Sequence, residues 1–138
     1  MSFLQINTLK SVLVTLLLIF TIGFIGCGDT STIDDDDPIE KYLGNWQVSD
    51  QPARLNYEVI IVRNQANSAE VLLKNFADLG GATIGLVVGN SIVIDKQTIA
   101  GEFQIDGTGS YIKSTELRFD YVLDDGIDKE NRKTVFTR

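Results

Sequence analysis

The sequence contains no histidine and only one cysteine, Cys27. Without an imidazole, the chain lacks the general base of a Ser-His-Asp triad or a Cys-His pair, so these routes to nucleophilic catalysis are excluded. The same shortage of ligands excludes the common zinc sites, and a lone cysteine cannot form a disulfide within the chain. We therefore predict that an apolar core stabilises the fold and that the protein binds no metal or other cofactor.

Carboxylates are the remaining groups that could carry out catalysis. Two acidic side chains can hydrolyse a glycosidic bond, and Glu116 with Asp120 or Asp124 with Asp125 are candidate pairs. Residues 125–130 also carry acidic side chains that could bind Ca²⁺. Because these residues lie in predicted strands and turns, we favour exposed structural roles for them. We predict that the protein is not an enzyme.

Basic residues are also scarce, with 12 lysines and arginines against 19 acidic residues and a formal net charge of −7. No cluster of basic residues suggests a nucleic-acid partner. Six of the acidic residues lie within residues 29–40, whereas residues 41–138 contain 11 basic and 13 acidic residues. The acidity therefore belongs mainly to the N-terminal region and says little about what the remainder binds.

An almost wholly apolar run occupies residues 12–25, after Lys10 and before the first acidic residue, Asp29. As a helix it would span about 21 Å, at about 1.5 Å per residue. This is shorter than the ~20 residues of a transmembrane helix and is typical of the hydrophobic region of a secretory signal. We predict that residues 1–26 are a signal peptide.

The apolar run ends at a small residue, Gly26, followed by Cys27. A small residue suits cleavage by a signal peptidase, and the thiol after it can accept a lipid. This pattern resembles the lipobox of bacterial lipoproteins, which implies that Cys27 becomes the lipidated N-terminus of the mature protein. Two or more acyl chains would anchor it stably, at about 0.8 kcal/mol per buried CH₂. The alternatives are an uncleaved membrane anchor and an exported protein with a free thiol.

Residues 27–40 form a predicted tether. They contain few apolar groups, a run of four aspartates and a proline, a composition typical of a solvated, disordered segment. An acidic run soon after a lipidated cysteine is similar to the surface-export signal of Bacteroidetes-type lipoproteins. The resemblance implies attachment to the bacterial outer membrane, and it leaves both cell-surface and periplasmic exposure open.

Residues 41–138 form the predicted domain. In residues 117–123 every second side chain is apolar, as in a half-buried antiparallel strand. The pair Gly89-Asn90 suits a two-residue hairpin turn. Seven or eight short strands separated by turn signals favour an all-β barrel or sandwich. The other strands are predicted near residues 42–48, 57–63, 82–88, 91–95, 101–106 and 134–138.

Two segments need a choice between structures. In residues 70–79, Leu72, Phe76 and Leu79 fall at helical spacing, whereas the first half of the segment also alternates like a strand. The pattern alone slightly favours a helix. Residues 106–109, with the sequence DGTG, predict a turn that ends the strand before them.

Three motifs resemble those of the calycins, and in particular of the lipocalin-like domains of small bacterial lipoproteins. Gly44-x-Trp46 opens the domain, FDY occupies residues 119–121, and Arg138 ends the chain. Lipocalins have a G-x-W motif, a late T-D-Y motif and a C-terminal basic residue over the tryptophan. The resemblance implies an antiparallel up-and-down β-barrel of about eight strands, plugged at one end by Gly44, Trp46 and Arg138. It also favours a strand followed by a turn over residues 70–79.

The aromatic side chains lead to different functional hypotheses. If the barrel is hollow, some of them line a pocket for a small apolar or glycan ligand. If it is filled, as eight short strands allow, the aromatics are core and the alternative is a structural or adaptor lipoprotein with an envelope protein partner. Our leading hypothesis is a non-enzymatic, lipid-anchored binder of a small ligand. A third is an enzyme inhibitor acting through residues 64–69 or 124–132. The candidate ligand-binding residues are Tyr57, Phe103, Tyr111, Phe119 and Tyr121.

Overall fold

A computed structural model describes residues 37–138, which form a closed, antiparallel, up-and-down barrel of eight strands. Each strand pairs with the next along the chain, and the first and last strands pair to close the barrel. The predicted fold class is confirmed. The strands are β1 (Gly44–Asp50), β2 (Leu55–Arg63), β3 (Glu70–Lys74), β4 (Ala82–Val88), β5 (Ser91–Ile99), β6 (Phe103–Lys113), β7 (Glu116–Asp124) and β8 (Lys129–Thr137).

The predicted signal peptide, Cys27 and most of the predicted tether lie outside the described residues. Within residues 37–138, no helix is long and apolar enough to cross a membrane. The last residues of the predicted tether belong to the domain, since Ile39 is buried and Asp37 pairs with Arg63 at 2.6 Å. The domain thus begins before the predicted boundary at residue 41. A 3₁₀ turn, Glu40–Tyr42, then leads into β1.

Strict alternation along β7 builds much of the core. Leu117, Phe119, Tyr121 and Leu123 face the interior and are buried, while Arg118 is exposed. The same period of two recurs in β1, β2 and β8, as expected for a sheet with one apolar face. The inward side chains of all eight strands therefore form a single core.

The predicted turn at residues 106–109 is wrong, because β6 runs straight through it to Lys113. Gly107 pairs with Tyr121 and Gly109 pairs with Phe119 across the β6–β7 ladder. A Cβ on Gly109 would lie 2.3 Å from Cε1 of Phe119. Gly109 thus leaves room for the Phe119 ring, and Gly107 for the Cβ and backbone of Tyr121, which is the close-approach use of glycine in a strand.

Residues 70–79 form a strand followed by a turn, so the expectation drawn from the family resemblance is confirmed and a helix is wrong. β3 ends at Lys74, and a 3₁₀ turn covers Phe76–Asp78. Asn75 stabilises this turn, because its Nδ2 donates to the Glu58 carbonyl at 2.9 Å and its Oδ1 accepts from the Gly80 amide at 2.9 Å. The helical spacing arose because the turn inserts Phe76 into the core.

The strand directions define two barrel ends. The plugged end holds the Glu40–Tyr42 turn, the start of β1 and the C-terminus. The mouth end holds the four connections at residues 51–54, 75–81, 100–102 and 125–128. The described chain begins at the plugged end, so residue 37 lies far from the mouth along the barrel axis.

Candidate functional site

The plugged end is closed by Trp46, which is fully buried. Its indole Nε1 donates to the Tyr42 carbonyl at 2.8 Å, and the Arg138 guanidinium lies 4.2 Å from its ring centroid. Gly44 has a φ of +116°, and a Cβ there would lie 3.4 Å from Nη1 of Arg138. Glycine at this position therefore allows both the positive φ and the close approach of the guanidinium.

Arg138 donates hydrogen bonds to backbone carbonyls. It donates to the Leu43 oxygen at 2.7 Å, the Ser114 oxygen at 2.8 Å and the Lys41 oxygen at 3.3 Å. A guanidinium that stacks on an aromatic ring and also satisfies carbonyls holds several chain segments together. The structure brings Gly44, Trp46 and Arg138 together as the closure of this end of the barrel.

Tyr111, one of the five candidate ligand-binding residues, also lies at the plugged end. Its half-buried ring packs edge-on against Tyr42, with ring centroids 5.9 Å apart, and the Lys41 ammonium lies 5.0 Å from its centroid. Tyr111 therefore lies far along the barrel from Phe103, which starts β6 at the mouth end. The structure does not bring these two candidates into one site.

Phe119 belongs to an aromatic cluster in the middle of the barrel. Its ring centroid lies 4.5 Å from that of Phe136 and 5.4 Å from that of Phe76. Phe76 in turn lies 4.8 Å from the ring of Tyr121. Such tilted and edge-on contacts are the favourable geometry for aromatic pairs. The middle of the interior is therefore filled by the protein's own rings.

A buried ion pair lies towards the mouth. Asp50 is fully buried at the inner face of β1, and its Oδ2 accepts from Nη1 of Arg132 at 2.8 Å. Its Oδ1 accepts from the Ala53 amide at 3.1 Å. Arg132 also pairs with Glu130, whose Oε2 accepts from its Nε at 2.7 Å. A buried carboxylate that is fully hydrogen-bonded in this way fixes β8 against β1 and the connection after it.

Two tyrosine hydroxyls lie beside this ion pair. Tyr57 and Tyr121 are 8% and 3% exposed, and the hydroxyl of neither has a hydrogen-bond partner within residues 37–138. Burial, with a smaller effect of Asp50, raises the pKa of Tyr57 to about 12. Burial and the neighbouring Tyr57 phenol also raise the pKa of Tyr121. Both groups are therefore neutral at physiological pH, and both keep unused hydrogen-bonding capacity.

A cleft of about 210 Å³ opens at the mouth. Its walls combine five apolar side chains with one arginine and four carboxylates, so it is more charged than a typical small-molecule pocket. Phe103 is the only one of the five candidate residues among those that line it. The lining residues are Leu55, Ala77, Asp78, Leu79, Phe103, Leu123, Asp125, Asp128, Glu130 and Arg132.

The cleft continues into a shallow groove of about 570 Å³. The groove is lined by Pro52, Ala53 and Asn131 together with Leu55, Glu130 and Arg132, and the last three residues also line the cleft. One surface thus runs from the cleft across the connection between β1 and β2. We call the cleft, this groove and the tip of the connection at residues 125–128 the mouth surface.

The mouth surface is negatively charged. Asp78, Asp125 and Asp128 form no ion pair with any residue from 37 to 138. Backbone amides hold the pKa of Asp125 below its usual range, the Asp128 amide first and the Ile127 amide second. Four carboxylates line the cleft against a single arginine, Arg132, which is already shared between Asp50 and Glu130.

Sequence reasoning missed Ile127 and the Asp50–Arg132 pair. Ile127 is 90% exposed at the tip of its connection. Asp50 continues the inward alternation of Trp46 and Val48, and Arg132 that of Phe136 and Thr134. Opposite charges at two inward positions were the signal available, because a buried charge requires a partner.

The carboxylates considered for catalysis are engaged in local structure. Glu116 accepts from Nε of Arg118 at 2.8 Å, and Asp120 pairs with Lys133 at 3.7 Å. Asp124 likewise pairs with Lys129 at 3.5 Å. No group of three or more acidic side chains in the part of the chain that the structure describes is arranged to hold a metal ion.

No family model, curated protein or solved structure matches the chain significantly. The lipocalin-like resemblance therefore stays a prediction.

Proposed function

We propose that this chain is a non-enzymatic, lipid-anchored protein of the bacterial cell envelope, and that its barrel is an adaptor that binds another envelope protein through its outer surface. The observation that carries the proposal is the filled interior. Phe76, Phe119 and Phe136 pack against one another, and Gly109 of β6 leaves room for the ring of Phe119. An interior of this kind supports binding at the surface rather than inside the barrel.

The anchor is supported by the sequence before the domain. An apolar run that ends at Gly26-Cys27 suits cleavage and lipidation, and an acidic segment separates Cys27 from the domain. The described chain begins at the plugged end. A lipid on Cys27 would therefore be connected to that end, which Trp46 closes, and the mouth surface would be free for a partner.

A small apolar or glycan ligand is the second candidate. The cleft has an apolar wall that includes Phe103, and the buried hydroxyls of Tyr57 and Tyr121 next to Arg132 are unused. Its volume of about 210 Å³ is below the ~300 Å³ at which ligand pockets usually begin. The geometry therefore gives this candidate less support than the adaptor.

The anchor is tested with the Cys27→Ser variant of the full-length chain in a bacterium that lipidates exported proteins. We expect the wild type to sediment with membranes and to carry the mass of acyl chains, and the variant to lose both. Full retention of the variant in the membrane fraction would contradict a lipid anchor and would favour an uncleaved apolar segment.

The adaptor role is tested with a photocrosslinking amino acid at exposed apolar positions in cells that produce the protein naturally. Ile127 samples the mouth, whereas Ile84 and Ile112 sample the barrel wall. We expect a discrete protein adduct from at least one position, identified by mass spectrometry. An adduct with the mass of a small molecule, and no protein adduct, would instead support the second candidate.

A further inference from the structure

We propose that the mouth surface is where the partner docks, and that it recognises a basic side chain next to an apolar one on an extended segment of the partner protein. This inference rests on the proposed adaptor function and names the site and the chemistry of its partner. The exposed apolar residues of the mouth surface, its excess of carboxylates and the size of its cleft suit such a segment.

The apolar part of the surface is held in place by its own connection. Oδ1 of Asp125 accepts from the amides of Ile127 and Asp128 at 2.8 and 2.7 Å, and Oδ1 of Asp124 accepts from the Gly126 amide at 2.9 Å. These bonds fix the connection in a conformation that leaves Ile127 90% exposed. A connection whose backbone is already ordered loses little backbone entropy on binding, so Ile127 is suited to contact an apolar group.

Leu55 adds to this apolar surface on the other side of the cleft. It is 39% exposed and belongs to both the cleft and the groove. Phe103 and Leu79 line the cleft and are half-buried. Apolar walls around polar groups are the usual composition of a specific site.

The negative charge of the cleft favours a positively charged occupant. Asp78, Asp125 and Asp128 line it without ion-pair partners among the described residues. Arg132 does not compensate them, because Asp50 and Glu130 already accept from its guanidinium. A lysine or arginine entering the cleft would pair with these carboxylates next to apolar walls, where the effective dielectric constant is lower than in water.

The dimensions favour a protein segment. A cleft of about 210 Å³ suits one long side chain, and the adjoining groove of about 570 Å³ gives the flanking main chain a path across Pro52 and Ala53. The chain's own predicted tether is unsuited to this site, because residues 27–40 contain no basic residue and six acidic ones. Like charges would repel it from the cleft.

The test uses the full-length chain and a mixture of acetylated, amidated pentapeptides in which Gly flanks three randomised positions. Peptides retained by the immobilised protein are sequenced by mass spectrometry. We expect Lys or Arg beside Leu, Ile or Phe to be enriched about fivefold over the input, as a differential binding free energy of about 1 kcal/mol requires. Since rim charges are screened by salt, 0.5 M NaCl should lower the enrichment.

A matched pair of variants localises the binding. Asp78→Asn with Asp128→Asn removes two uncompensated charges at the mouth, and Asp95→Asn with Asp106→Asn removes two exposed charges elsewhere on the barrel. We expect the mouth variant to lose the enrichment and the control variant to keep it. Ile127→Ser should remove the preference for an apolar neighbour and keep the preference for a basic residue.

The inference would be overturned by a lack of enrichment in the wild type or by equal enrichment in both double variants. Concentration-dependent dimers that the mouth variant abolishes would overturn it as well, since a second copy would then be the occupant. These results are separate from the adaptor proposal. A partner crosslinked only to the barrel wall would support the adaptor role and would contradict docking at the mouth surface.

Discussion

The two ends of the barrel each contain an inward arginine on or beside the last strand, and they use it differently. Arg138 at the plugged end stacks on Trp46 and donates to three carbonyls. Arg132 at the mouth is paired with Asp50 and Glu130 beside carboxylates that have no cation. The arginine of the plugged end connects several chain segments, whereas an end with unused polar groups and exposed apolar residues can bind something else.

The largest expected difference between the ends is in stability. Trp46→Ala removes a fully buried indole and should lower the free energy of unfolding by about 3–5 kcal/mol. Phe103→Ala removes a half-buried ring beside an existing cleft and should cost about 1–2 kcal/mol. Urea unfolding of the full-length variants, followed by circular dichroism, measures both values. Equal losses would mean that both ends are structural and would weaken the contrast.

The tyrosines beside the mouth provide a prediction of intermediate size. Because Tyr57 and Tyr121 have raised pKa values in the folded protein, the unfolded chain releases its phenol protons first as the pH rises above ~10. Their contribution to stability is complete below that pH and is lost as the pH rises through the folded pKa. We expect stability to fall by about 1 kcal/mol per pH unit for each tyrosine between about pH 10 and 12.

Phenylalanine variants test the cause of this fall. Tyr57→Phe removes a buried hydroxyl that has no hydrogen-bond partner within residues 37–138, so stability at pH 7 should stay the same or rise by about 1 kcal/mol. The decrease in stability with rising pH should become less steep, because only one of the two buried tyrosines still contributes to it. Tyr111→Phe at the plugged end is the matched control, because its phenol is only half-buried. A lower stability of Tyr57→Phe at pH 7 would mean that its hydroxyl bonds an internal water that stabilises the fold.

The strands could be predicted from the sequence where their signal is local. The alternation of β7 is contained in residues 117–123, and the hairpin at Gly89-Asn90 is confirmed by the pairing of Val88 with Ser91. The turn predicted at residues 106–109 is wrong because the signal there is not local. A glycine that turns the chain and a glycine that makes room for a ring look the same in sequence, and only the pairing of β6 with β7 distinguishes them.

The mouth surface was beyond sequence reasoning for a related reason. Asp50 and Arg132 are 82 positions apart in the chain, and they meet because β1 and β8 pair when the barrel closes. Aromatic character was the only criterion available in the sequence for ligand-binding residues, and core residues such as Phe119 meet it as well as Phe103 does. Uncompensated charge and exposure, which single out Asp78 and Ile127, depend on the folded surface and cannot be read from residue types.

The smallest expected effect is a difference in acid sensitivity between one carboxylate at each end, Asp37 at the plugged end and Asp125 at the mouth. The Arg63 guanidinium, followed by the Ile39 amide, holds the pKa of Asp37 below its usual range at the plugged end. Asp125 at the mouth is held low by backbone amides. Since both folded pKa values are depressed, each contribution is complete above the unfolded value near ~4 and is lost as the pH falls through the folded value.

The two contacts should release different parts of the molecule. Protonation of Asp37 frees the segment that carries buried Ile39 against the plugged end, so Asp37→Asn should flatten the acid limb of global stability. Protonation of Asp125 frees only its own connection, so it should speed exchange of the Ile127 and Asp128 amides without unfolding the barrel. Hydrogen exchange followed by NMR between about pH 5 and 2 measures both responses. The opening of the Asp125 connection should require much less free energy than global unfolding. If the amides of residues 125–128 became unprotected only together with the core, the mouth connection would be part of the cooperative fold, and its fixed exposure of Ile127 would need another explanation.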